Sequence, residues 1–166
     1  PQILGVYQPV LEGEPLIIKE ATPEWRYVEP HKRFAFIGTG NTNGSGDETG
    51  LYQGTNIQNA ANFSRFGIVS HVKYMDRSHE SAMLEKMGLP KVYATMLIDF
   101  ATRIRSGYEA GNISQPIGPR ELRNAAMIGM AHKNFKKGVT KSFINKLPST
   151  SAVSATEIAQ RVFGDE

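Results

Sequence analysis

The 166 residues predict an α/β fold in two parts, a β-containing first part over residues 1–75 and an all-α second part over residues 76–166. Two patterns predict it. Up to Tyr74 the chain carries short β-rich runs bounded by proline and glycine, and beyond Asp76 its apolar residues recur at helical spacing. A hydrophobic content of 40% permits a packed core for one ordinary domain or two small ones.

In order along the chain, residues 1–12 read as the tail of a helix. Ile3, Leu4, Val6, Tyr7, Val10 and Leu11 are apolar, and Gly5 and Pro9 weaken the pattern, as though the chain begins mid-fold. PLIIKE and WRYVEP, separated by ATPE, predict a hairpin over residues 15–29. Residues 33–39 form an apolar run expected to be a buried strand that ends at the polar Asn41. The glycine-rich residues 40–54 must be a loop, with residues 43–54 facing a pore or a partner if they have a role. Thr55 can cap a helix over residues 56–64, within a segment 55–66 that delivers Arg65 to the next strand. Alternation over Ile68, Ser70, Val72 and Tyr74 predicts that last strand at residues 67–74.

The second part is expected to be a small helical bundle. Val92, Met96, Leu97, Phe100 and Ile104 mark one face of a helix from Pro90 to about Ser106, with Gly107 and Gly111 at its end. Pro119 suits a first helical turn, followed by the inner stripe Leu122, Ala125, Ala126 and Met130. Ser154 and Glu157 have the spacing of a capping box ahead of Ile158 and Val162.

Composition excludes several kinds of chemistry. There are no cysteines, hence neither disulfides nor thiolate catalysis, and the four histidines are too scattered for a zinc site. No apolar run is long enough to span a bilayer, and the start lacks the basic-then-apolar build of a signal peptide, which fits a cytoplasmic protein without a membrane partner. The net charge of +3 is unevenly spread: Arg120 to Lys146 holds seven Lys or Arg against Glu121 alone. No aromatic residues alternate with these cations as a stacking groove requires. A solvated helix face is therefore favoured over a nucleic-acid surface.

Three residues carry candidate chemistry. Asn41, at a strand tip, offers an amide that can hold an attacking water or a phosphate oxygen without adding negative charge; otherwise it only shapes the turn. The stretch GTGNTNGSGDETG lacks the Lys and Ser or Thr of a phosphate-binding loop, and Asp47 and Glu48 lack the spacing of a calcium loop. Arg65 lies in FSRFG, where Phe63 and Phe66 can anchor the segment and leave the guanidinium pointing outward, or it forms a surface ion pair. Arg120 follows Pro119 in a first helical turn, where side chain and helix dipole both attract phosphate, whereas Arg123 suits a helix-surface ion pair.

Taken together, the strand before Asn41, SRF at Arg65 and GPREL at Arg120 resemble the sensor 1, arginine finger and sensor 2 of AAA+ ATPases. GTGNTNGSGDETGLYQGTNIQNAANFSRFGIV, SFINK and QRVFG are similar to the cobaltochelatase small-subunit (CobS) family, within the branch that includes the MoxR ATPases and carries a hairpin before the sensor 1 strand. The resemblance covers nearly the whole chain. It implies the end of an αβα AAA+ core over residues 1–75 and a helical lid over residues 76–166, in a hexameric ring. It also implies ATP and magnesium as cofactors, with Asn41 and Arg120 contacting nucleotide and Arg65 reaching a neighbour's. The implied partner is a chelatase subunit with a metal-adhesion domain, and the implied work is cobalt insertion into a corrin. Similar proteins also occur in phage genomes, where the resemblance supplies no substrate, so a remodelling motor with a non-chelatase role is a nearer alternative. Two departures stand out: Ser64 precedes Arg65 where the family has Asp, and Gln115 to Gly118 is a longer lead into the sensor 2 arginine. The family's Walker A and Walker B are expected upstream of Pro1, so the 166 residues alone should not hydrolyse ATP. A catalytically silent interaction module is the rival reading.

Overall fold

The computed structural model describes residues 3–42, 46, 51 and 56–164, and these are mostly helical with one small sheet. The chain divides into two compact units, residues 1–71 and 72–166.

The first unit opens with a 3-10 turn at Ile3–Tyr7 that runs into α1 (Gln8–Leu11), with Pro9 in the first turn, where its missing N–H costs nothing. A hairpin follows as its bounding prolines predict. β1 (Leu16–Ile17) pairs antiparallel with β2 (Tyr27–Val28), Leu16 opposite Val28 and Ile17 opposite Tyr27, around a 3-10 turn at Pro23–Trp25. Neither longer strand expected from the sequence forms: residues 34–40 and 68–76 lie outside any helix or strand. A strand is held by its ladder, and among the described residues no segment pairs with either run. Apart from the half-buried Phe36, their side chains are exposed, with Ile37 86% and Ile68 88% exposed. What holds this unit instead is a chain of rings, Tyr7 to Phe36 at 5.7 Å and Phe36 to Phe66 at 6.0 Å between centroids. The helix expected over residues 56–64 shortens to α2 (Ala60–Phe63), capped by the Asn59 side chain, which accepts from the Ala61 N–H at 2.9 Å. Thr55 and most of the loop over residues 43–54 lie outside the described residues.

The second unit holds the buried apolar core, which among the described residues runs from Leu84 to Phe163. It contains α3 (Arg77–Glu85), α4 (Lys91–Glu109), α5 (Pro119–His132), α6 (Phe135–Ser142), a 3-10 turn at Ile144–Lys146 and α7 (Ser149–Phe163). Phe100 of α4 is central, with the rings of Phe143 and Phe163 at 6.4 and 5.9 Å. Details differ from the sequence reading. α4 continues through Gly107 to Glu109, and Gly111 just past its Ala110 cap takes φ 76°, a left-handed position that glycine adopts without a Cβ penalty. The inner face of α4 is Ala94, Leu97, Ile98, Phe100, Ala101 and Ile104, while Val92 is exposed. Ser154 is no cap: α7 already starts at Ser149, after Pro148, so the Ser154 and Glu157 spacing falls mid-helix. By contrast α5 starts at Pro119 and buries Leu122, Ala125 and Ala126 as its stripe predicts.

Helices α5 and α6 approach backbone to backbone. A Cβ on Gly138 would sit 2.4 Å from the Ala125 carbonyl oxygen, and one on Gly129 would sit 2.3 Å from the Phe135 ring. The turn between them uses Lys133 at φ 52°, and the Asn134 side chain then caps α6 by accepting from the Lys137 N–H at 2.6 Å.

Candidate functional site

Asn41 and Arg65 belong to the first unit and Arg120 to the second. Asn41 is exposed at a bend that follows the unpaired residues 34–40. Phe36 and Phe66 connect this run to the segment bearing Arg65, so ring packing links the two candidates where a sheet was expected to.

Arg65 follows Ser64, the C-cap of α2, but its guanidinium does not point freely outward. Its Nε donates to one carboxylate oxygen of Glu12 at 2.6 Å, Nη2 lies 2.6 Å from the same oxygen in an ion pair, and Nη1 donates to the Ala61 carbonyl. The two side chains are 25% and 51% exposed, so solvent screens the pair and it adds only about 0.2–1 kcal/mol to stability. Beside it the Gln8 amide donates to the buried Asn62 side chain. Two polar contacts thus join α1 and its C-terminal residue to α2. Of the two anchoring phenylalanines, Phe66 packs on Phe36 while Phe63 is exposed. Sequence reasoning had offered a surface ion pair as the simpler role of Arg65, but nothing in the local pattern singled out Glu12, 53 residues away.

Arg120 is exposed in the first turn of α5. Glu121, next to it, turns back to accept from the Gly118 N–H at 3.3 Å, which satisfies one orphan donor of the helix start. Arg123 is exposed as well. Part of the basic run around these residues is structural. Lys136 donates to the Gly164 carbonyl at 3.1 Å and to Gln160, closing the end of α7, and Lys146 lies 3.9 Å from Glu121.

The charged contact that sequence reasoning missed altogether is internal to the helical unit. Glu80 of α3, only 1% exposed, takes a two-pronged contact from Arg105 of α4, Nη2 to Oε1 at 2.7 Å and Nη1 to Oε2 at 3.0 Å. The Arg105 Nε donates to the Ile117 carbonyl at 3.0 Å, and its guanidinium carbon lies 3.8 Å from the centre of the Tyr74 ring. One arginine therefore ties α3, α4, the segment before α5 and the entry to the unit. All three Arg105 guanidinium nitrogens have partners within the unit, which makes the contact a structural clamp.

Among the described residues no group of three or more acidic or histidine side chains could hold a metal ion, and no helix is long and apolar enough to cross a membrane.

The sequence is 29% identical over 178 aligned residues to the aerobic cobaltochelatase subunit CobS of Sinorhizobium sp, a distant homology that takes in 100% of this chain and 51% of that protein. The chain therefore spans about half the length of the curated relative it matches. No family model matches it, and no solved structure does.

Proposed function

We propose that the chain is the C-terminal part of a CobS-like AAA+ ATPase, a ring motor that couples ATP hydrolysis to remodelling of a partner protein. The observation that carries this reading is the homology to CobS running through the whole chain, across the stretches around Asn41, Arg65 and Arg120. In this reading residues 1–75 end the AAA+ core and residues 76–166 form its lid. ATP and magnesium are held by a Walker A loop and a Walker B strand outside these 166 residues, which contain no GxxxxGK[ST]. Asn41 orients the attacking water, Arg120 reports nucleotide to the lid, and Arg65 lends positive charge to the phosphoryl group bound by the neighbouring subunit. Cobalt insertion into a corrin, with a chelatase partner subunit, is the work that the similarity suggests for the whole protein.

The exposed apolar residues of the first unit support the same reading. Phe34, Ile37, Ile68 and Val69 are solvent-facing within runs of strand-like composition, as expected of sheet strands whose neighbours belong to another stretch of chain. The silent-module reading has its own support in the Arg65–Glu12 pair, since an arginine with only a structural role would make such a contact.

The experiment is ATP turnover and oligomerisation of the full-length protein carrying this chain. Arg65→Ala should leave nucleotide binding and assembly intact and lower turnover by roughly 10³–10⁵. Normal turnover would reject the finger assignment, and absence of nucleotide-dependent assembly in the unmutated protein would favour the silent module.

A further inference from the structure

The contact that restrains Arg65 lies within its own protomer, and this bears on when the residue is available. An arginine acting on a neighbour's phosphate must present its Nη groups with their charge uncompensated. Here Nε and Nη2 converge on the Glu12 carboxylate and Nη1 faces the Ala61 carbonyl, so all three guanidinium nitrogens are engaged at home. The carboxylate cancels the charge a phosphate would recognise. Glu12 is well placed to do this repeatedly. It is the C-terminal cap of α1, its backbone N–H donates to the Gln8 and Pro9 carbonyls of that helix, and the neighbouring Gln8–Asn62 contact joins α1 to α2 without using either member of the ion pair.

We propose that Glu12 is the resting partner of Arg65, a positioning residue that parks the guanidinium inside its own subunit until a neighbour's phosphate draws it away. The proposal rests on the arginine-finger reading of Arg65. Magnitude decides between a parked and a locked residue. A pair as exposed as this one, at 25% and 51%, shifts its equilibrium by only about 1.5- to 5-fold, whereas a polyphosphate presents several negative charges to the same guanidinium. Release is therefore easy, and the contact tunes the rate without abolishing it.

The test is steady-state ATP turnover of the assembled full-length protein as wild type, Glu12→Gln, Arg65→Ala and the double variant. Glu12→Gln keeps the side-chain size and the backbone bonds of α1 and removes the charge. Its kcat should rise about 1.5- to 5-fold with KM for ATP unchanged, and the double variant should match Arg65→Ala. An unchanged or lowered kcat for Glu12→Gln, with Arg65→Ala inactive, overturns the parking role while leaving the finger assignment standing. A double variant that differs from Arg65→Ala shows Glu12 acting elsewhere and also overturns it. Normal turnover by Arg65→Ala removes the finger assignment itself, and this inference with it.

Discussion

Gly138→Ala tests the closest approach in the helical unit. The added methyl would stand 2.4 Å from the Ala125 carbonyl oxygen and 3.2 Å from the Gly129 nitrogen, both backbone atoms of α5. Carbon needs about 3.3 Å from a carbonyl oxygen, so the helices must separate by roughly 0.9 Å or the methyl must displace α5 backbone. A gap of that size forfeits about a quarter to a half of each dispersion contact along the interface, and overpacking of a tight core costs about 1–3 kcal/mol. Alanine returns about 1 kcal/mol of helix propensity. Because neither facing atom can swing aside, the cost falls near the upper end and the net loss is about 2 kcal/mol, which for a helical unit of this size lowers the melting temperature by roughly 8–16 °C. The control is Gly107→Ala in α4, where the new methyl meets side-chain atoms of Ile113 alone, Cδ1 at 3.0 Å and Cγ1 at 3.3 Å. Ile113 is a buried side chain that can shift by a few tenths of an ångström where a backbone cannot, so with the gain in helix propensity the same substitution should lower the melting temperature by clearly less than Gly138→Ala does. Thermal melts followed by helical circular dichroism measure both. A Gly138→Ala protein that melts at or above the wild-type temperature would refute the backbone contact between α5 and α6.

Glu80→Ala should destabilise by about 3–5 kcal/mol in denaturant titration, because it leaves the Arg105 guanidinium largely buried without its carboxylate; a loss under about 1 kcal/mol would show that water replaces the partner. Ile68→Ser, at an 88% exposed position, should not change the melting temperature of the 166-residue chain. In the full-length protein the same change should cost about 2 kcal/mol or more if another stretch of chain covers the site, and equal effects in both would argue that nothing does. Arg120→Ala should leave the melt unaltered and weaken the nucleotide response of the full-length protein; unchanged affinity together with unchanged rate would make Arg120 a surface charge only.

The two halves differed in how far they could be read from sequence. Helix periodicity is a local property, and in residues 76–166 it was enough to place α5 at Pro119 with Leu122, Ala125 and Ala126 inward. Its limits were the ends, where Gly107 stayed helical and Ser154 lay inside α7. The strand patterns over residues 33–39 and 67–74 were just as visible, yet neither became a strand. A helix completes its hydrogen bonds within one segment, whereas a strand depends on a neighbour, and alternation cannot report whether that neighbour is present. The short hairpin formed because it carries its own partner ten or so residues on.

For the candidate site, the amino-acid sequence determined which residues stand at Asn41, Arg65 and Arg120, their order, and a likeness to CobS that runs from one end of the chain to the other. The tertiary structure decided what those side chains touch. It brought Glu12 to Arg65 across 53 positions and Glu80 to Arg105 across 25, pairing one arginine at an exposed surface and burying the other. Both are arginines with acids distant in sequence, and no local pattern tells them apart. The difference lies in desolvation: burial turns the Glu80 contact into a clamp whose loss is costly, while solvent keeps the Glu12 contact weak enough to exchange.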